Sequence, residues 1–386
     1  MLEHWLLDPD CTYLNHGTVG APPKRVLAKQ AALRDEMERQ PSRFMLRELH
    51  GHHPAPWRHQ SRLREASDRV ASFLGSRPED LVFVPNVTTG LNAVLRSVPL
   101  GPGDEVVMTD LAYGAIALAA DFIVRERGAT LCTAAMPYPL RDPGDIVSTI
   151  LQAITPNTRV VIVDHITAQT ALVFPVAVIA AECHRRGVPV LVDGAHAPGS
   201  LAVDIPALGV DWYAANLHKW AHAPRSCGIL WAAPEHQSTL RYPVVSWGSG
   251  KGFRSEFELT ATSDPTSYLA APDGMALLNE WNFDAVLAYM HGLAWEAAGI
   301  LTGCWGTTLE VPRGMIGAMV TVPLPERAGA TEEDATRLRL ALLVDDRIEV
   351  QVHAWRGRLW SRVSAQVYND RSDIMRLAEA VLSRSG

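Results

Sequence analysis

The chain has 386 residues, 47% of them hydrophobic and 20% charged, with a formal net charge of −7. That length builds one large domain plus a smaller one, and the composition excludes a disordered or fibrous chain. The negative balance offers no basic surface for nucleic acid, so small-molecule partners are expected.

Met1 is followed by Glu3, His4 and Asp8 instead of a basic segment and an apolar stretch, so no signal peptide is read and a cytoplasmic location is expected. His50, His52, His53 and His59 group together, but regular ligand spacing and a supporting carboxylate are missing. No metal is expected there, and the segment reads as a solvent-facing loop or substrate entry. Short apolar runs at Leu81–Val84, Glu105–Thr109, 160–164, 189–193 and 228–231 alternate with helical segments. That pattern predicts an α/β fold with a mostly parallel sheet covered on both faces. The most apolar helix-like segment, 113–124, is interrupted by Asp121 and too short to cross a bilayer, so no membrane association is expected. One helix is expected to start with Pro175 and end near Gly187, with the next strand from Val188. Residues 247–253, with Gly248, Gly250 and Gly252, match neither a P-loop nor a dinucleotide fingerprint and read as a flexible loop. Past about residue 275 the pattern shifts to long helices and short strands, entered by a helix over 275–292. The division is therefore an N-terminal segment 1–20, a large domain 21–275 and a smaller α+β domain 276–386. Cys11, Cys132, Cys183, Cys227 and Cys304 are odd in number and lack CxxC spacing, so they read as buried free thiols.

Ligands of open α/β sheets bind beyond the carboxyl ends of the strands, so polar residues there are the first candidates. Asp193 ends the run 188–192, and Lys219 lies 219 − 193 = 26 residues later, in Asn216, Leu217, His218, Lys219, Trp220. Alone, Asp193 reads equally as a turn aspartate and Lys219 as a surface lysine. Together they match what pyridoxal 5'-phosphate (PLP) requires: an amine to condense with its aldehyde and a carboxylate to keep its pyridine protonated. Asn86, Val87, Thr88, Thr89 and Gly90 join a strand to a helix expected near Leu91, placing hydroxyls and N–H groups where a phosphate would sit, or serving as an ordinary cap. Tyr113 could lie on the pyridine ring or support the core.

Several stretches together resemble the class V aminotransferase group of fold-type I PLP enzymes, and its isopenicillin N epimerase-like branch above all. They are residues 13–22 (YLNHGTVGAP), 86–92 (NVTTGLN), 164–175 (DHITAQTALVFP), 192–196 (VDGAH), 216–220 (NLHKW) and 353–369 (HAWRGRLWSRVSAQVYN), in the family's order over almost the whole chain. The resemblance implies a large PLP-binding domain and a smaller C-terminal one. It makes Lys219 the catalytic Schiff-base lysine, sets Asp193 on the pyridine nitrogen and His196 near the cofactor hydroxyl, and stacks Tyr113 on the ring. Val87, Thr88, Asn216 and His218 would hold the phosphate. Thr262 matches a stretch that relatives extend into the partner subunit's phosphate site, which implies a homodimer. Arg362 would bind the α-carboxylate of an amino-acid substrate, and Asn15 and His16 match a loop near the substrate.

Departures from the pattern bear on the reaction. Residues 340–361 hold no cysteine where desulfurases carry their nucleophile. Ala168 stands where relatives place Ser or Asn beside the cofactor's ring oxygen, a bond left to Thr167 or Gln169 or lost. Ala261 replaces a customary glycine. The expected function is a PLP enzyme that forms an external aldimine with an amino acid and abstracts its Cα proton, with epimerisation first. β-Elimination at a C–S bond, transamination and decarboxylating deamination are the alternatives, with natural-product tailoring as a setting; a non-enzymatic scaffold is disfavoured by Lys219, Asp193 and Arg362 together.

Overall fold

The computed structural model describes residues 1–50 and 56–384. His52 and His53 of the histidine group lie outside the described residues, within which no cluster of metal-ligating side chains occurs. The chain opens with a short strand β1 (Thr12–Tyr13), then builds a seven-stranded sheet. Its members are β2 (Leu81–Val84), β3 (Glu105–Thr109), β4 (Thr130–Ala134), β5 (Thr158–Asp164), β6 (Val190–Asp193), β7 (Trp212–Asn216) and β8 (Gly228–Ala232). The spatial order is β2-β8-β7-β6-β5-β3-β4, and only β8 runs against its neighbours.

Side chains of these strands alternate between two apolar layers, as period-2 geometry requires. Val161, Val163, Val190, Val192 and Ile229 face one cluster, while Val160, Ile162, Leu191 and Leu230 face the other. Both faces are therefore dry, which is why these strands read as unbroken apolar runs. The helix after β5 is Val176–His184, with Pro175 as its cap rather than its first residue, and β6 begins at Val190, two residues later than expected.

The smaller layer is an antiparallel sheet of β9 (Met319–Pro323), β11 (Gln351–Trp355) and β12 (Arg358–Ser364), in the order β11-β12-β9, with β10 (Ile348–Glu349) beside it in sequence. Helices Phe283–Trp305, Glu332–Val344 and Arg371–Arg384 enclose its core. The single helix expected over 275–292 is two helices, Thr266–Glu280 and Phe283–Trp305. Asn282 breaks the chain with φ +64°, and its side chain accepts the Ala285 N–H to cap the second helix. β1 pairs in parallel with β10, and Leu14 is buried in the small-domain core, so the start of the chain is stitched to that sheet.

Among the described residues no helix is long and apolar enough to cross a membrane. All five cysteines are free, but only Cys183 and Cys227 are buried; Cys11 and Cys132 are half-buried and Cys304 is exposed. Cys304 sits near the end of a helix that buries only one face, which corrects the expectation of five buried thiols.

Candidate active site

The parallel strands deliver their last residues to one place. Asp164 at the end of β5 is the register partner of Asp193 at the end of β6, and Asn216 ends β7. The helix after β2 runs Val87–Ser97, four residues earlier than expected, because the Asn86 side chain caps it by accepting the Thr89 N–H at 2.9 Å. Val87 and Thr88 are thus in the first helical turn, where backbone N–H groups lack helical partners. The Val87 N–H is itself donated to Asn216 Oδ1 at 2.9 Å, tying the helix to β7. Gly90 lets that helix lie close: a Cβ there would stand 3.0 Å from the Ala214 side chain.

Beyond β7 the chain folds back so that the Leu217 and His218 N–H groups both reach the Cys227 carbonyl, and His218 Nδ1–H donates to the same oxygen at 3.0 Å. This turn presents Lys219 to a cleft of about 530 Å³ shared with Asp164, Asp193, His196, Thr88 and Arg362. Gly20, at φ +68°, allows the N-terminal loop to pass directly over the His218–Lys219 backbone.

The groups on the cleft floor are strongly perturbed. Lys219 Nζ lies 3.2 Å from His196 Nε2. Burial, aided by the charge of Arg362 and opposed by Asp193, lowers the amine's pKa to about 7. Burial raises Asp193 to about 6 against the Ala195 N–H and Lys219, which favour its ionised form. Burial and the neighbouring Asp193 hold Asp164 well above the usual carboxyl range. Asp193 Oδ2 and His196 Nδ1 are buried and find no hydrogen-bond partner among the described residues. Such atoms call for a ligand. An acceptor carboxylate, an imidazole and an amine of depressed pKa fit the pyridine nitrogen, ring hydroxyl and aldehyde carbon of PLP.

Arg362 projects from β12 into the other wall. Nη1 donates to the Ala168 carbonyl, and Nη2 donates to Thr18 Oγ1 at 2.6 Å and Asn15 Oδ1 at 3.3 Å, while Nε is buried without a partner. All three acceptors are neutral. Burial lowers its pKa to about 10, which leaves it charged at neutral pH with no carboxylate beside it among the described residues. A buried cation without a counter-charge is a ready anion site.

The remaining expected residues divide. Tyr113 caps the helix Gly114–Arg127 and lines the cleft, 47% exposed. His16 and Asn15 are buried beneath the wall and do not line the cleft. His16 Nε2 lies 3.0 Å from the Lys219 carbonyl and Nδ1 2.9 Å from the Tyr368 hydroxyl. Burial lowers its pKa to about 4, so the ring supports the lysine's backbone as a neutral group. Gly17 and Thr18 occupy the wall that the sequence pattern assigned to Asn15 and His16. Thr262 lies on a separate cavity of about 740 Å³, with Arg225 and Tyr268. Ala261 before it holds φ +149°, a backbone natural to glycine. Thr167 is spent on Thr170 Oγ1 and the Leu172 N–H, whereas Gln169 lines the cleft beside Ala168. Asp164, Thr18 and Gln351 join the site without having been singled out; Asp164 closes the apolar run 160–164, so its place at a strand's carboxyl end could have flagged it.

The sequence model of the Aminotransferase class-V family matches residues 14–339. An isopenicillin N epimerase of Amycolatopsis lactamdurans is 33% identical over 98% of this chain and 96% of its own. A probable chloroplastic L-cysteine desulfhydrase of Arabidopsis thaliana is 29% identical over 97% of this chain and 83% of its own. Among solved structures, a mutant of C-DES with glycine covalently linked to its PLP cofactor superposes with a TM-score of 0.80 at 23% identity, covering 99% of this chain and 98% of that one. A large parallel-sheet layer, a smaller α+β layer, a lysine and an aspartate on one cleft, and a family match over most of the length lead to one assignment: this chain belongs to the aminotransferase class-V family of PLP enzymes, with the fold-type I architecture.

Proposed function

We propose that the cleft holds PLP on Lys219 and acts at the α-carbon of an amino acid, with epimerisation as the reaction. The observation that carries this reading is Arg362, a buried cation with only neutral partners, on the same cleft as Lys219 and Asp193. When bound, PLP supplies an electron sink that stabilises negative charge at the α-carbon. Asp193 Oδ2 would hold the pyridine nitrogen and His196 the ring hydroxyl. Asn216, whose Oδ1 is occupied by the Val87 N–H, would turn its Nδ2 toward the phosphate, beside Thr88 and His218. Tyr113 would cover the ring. Lys219, with its pKa near 7, is suited to take and return a proton at the α-carbon at neutral pH. Arg362 would draw the α-carboxylate to its unpartnered Nε–H, fixing which α-carbon bond faces the ring.

Incubation with amino acids in deuterated water tests the reaction: α-carbon exchange with inversion supports epimerisation, pyruvate release supports β-elimination, and conversion of the cofactor to its amine form supports transamination. C–S cleavage is the second reading, favoured by the relatives named L-cysteine desulfhydrase. A persulfide route through a protein thiol is disfavoured, because no cysteine lines the cleft among the described residues.

A homodimer and a cytoplasmic setting belong to the same proposal. Thr262 lies away from its own cleft, suited to a partner's phosphate, and the preceding loop exposes Val245 and Trp247 at 85% and 83%, apolar surface that a subunit contact would cover. Five free thiols accord with a reducing compartment.

A further inference from the structure

Arg362 keeps its charge free although a carboxylate lies one side chain away. Glu349, on β10, accepts the Asn15 Nδ2–H at 2.7 Å, and Asn15 Oδ1 in turn accepts Arg362 Nη2–H at 3.3 Å and the Thr18 hydroxyl at 2.5 Å. The amide stands between the two charges with its carbonyl toward the cation and its amino end toward the anion. Strand pairing sets this order: Tyr13 is the register partner of Glu349, and the Leu14 N–H donates to the Glu349 carbonyl at 2.8 Å, which delivers Asn15 between the acid and β12.

Without that spacer, a glutamate side chain has one amide's width to cross before it meets a buried guanidinium with an unpartnered Nε. The resulting ion pair would be strong, because the guanidinium is already out of water and short of acceptors, so only the half-buried carboxylate would give up solvent to reach it. An incoming carboxylate would then have to displace it. We propose that Asn15 is a positioning residue whose neutral amide keeps Glu349 from pairing with Arg362, so that the guanidinium remains available to the substrate carboxylate. The inference rests on the proposed role of Arg362 and assigns Asn15 a part that needs no contact with substrate.

The test is a double-mutant cycle on the holoenzyme, read as equilibrium affinity for L-alanine and for ethylamine from the change in the cofactor's visible absorption. The ratio of the two affinities isolates the carboxylate. Asn15→Ala should lower that ratio at least about tenfold, the equivalent of one charge-assisted contact. Glu349→Gln in the Asn15→Ala background should restore it to within about threefold, since the competing acid is gone. A merely structural role for Asn15 predicts no rescue. Asn15→Asp, isosteric with the native residue, should collapse the ratio with no rescue by Glu349→Gln, because the new carboxylate itself pairs with Arg362. An unchanged ratio in Asn15→Ala, or a reduced one that Glu349→Gln does not restore, overturns the proposal. If Asn15→Ala does not fold, Asn15→Asp decides it: an undiminished ratio overturns the proposal. A wild-type ratio near one instead refutes the carboxylate role of Arg362, which is a different failure.

Discussion

Replacing Lys219 by Met should stabilise the cofactor-free protein. The amine is held at a pKa of about 7 against 10.5 for a free lysine, because it is enclosed by protein and faces the charge of Arg362. A lysine with a lowered folded pKa penalises the folded state fully below pH 7, and the penalty fades as pH rises toward 10.5, where the unfolded chain also loses its proton. A shift of that size corresponds to about 5 kcal/mol at or below pH 7 and about 3 kcal/mol at pH 8. The amine opens on the cleft, so water there relieves part of the cost, and a gain of about 2 kcal/mol at pH 7 is the expected scale. The assay is denaturant unfolding of both proteins after removal of cofactor, from pH 6 to pH 10. Lys219→Met should unfold at higher denaturant, by a margin that shrinks as pH rises. A margin of zero at pH 7, or one that grows with pH, would refute the claim that the buried amine is a burden on the empty fold.

Borohydride reduction followed by peptide mapping should fix the cofactor to Lys219, and a stable label on another lysine would overturn the assignment. Arg362→Lys keeps the charge but loses the planar fork, so kcat/KM for an amino acid should fall roughly ten- to a hundredfold, while an amine lacking the carboxylate changes little; equal losses for both would exclude a carboxylate clamp. His218 already donates Nδ1–H to the Cys227 carbonyl, so its Nε2 must gain a proton before it can donate to a phosphate. Burial lowers the ring's pKa to about 4, so cofactor affinity should keep rising as pH falls toward 4, more steeply than in His218→Gln, and identical slopes would count against the contact. If Thr262 serves the partner's site, mixing inactive Lys219→Ala subunits with impaired Thr262→Ala subunits should regenerate one native site per hybrid dimer; no recovery after verified exchange would sink the shared-site reading.

Much of the large sheet was legible because its strands are dry on both faces: β2, β3, β5, β6 and β8 are bare apolar runs. β4 escaped notice as a half-exposed edge strand with two threonines, and β7 because Trp212, Tyr213, Ala214 and Ala215 carry no regular alternation. The helix at Val87 was placed late because Val87, Thr88, Thr89 and Gly90 are poor helix formers, whereas the Asn86 cap decides its start. In the candidate site, Asp193, Lys219 and Arg362 stand out by residue type and family motif. The burial of His16 and Asn15 does not, since a motif places a residue near a site without saying whether its side chain faces the ligand or props up the wall. Asp164 was passed over although it ends an apolar run just as Asp193 does; what no local pattern encodes is the strand register that sets the two carboxyls side by side.

The contact between Asn15 and Arg362 spans 347 residues of sequence. A chain must search longest for its most distant contacts, whereas Asp193, His196 and Lys219 lie at and just beyond the ends of two paired neighbouring strands, β6 and β7. The two halves of the cleft therefore have different birthdays. The floor draws its polar groups from residues 86–219, whereas the carboxylate wall exists only once both ends of the polypeptide have met.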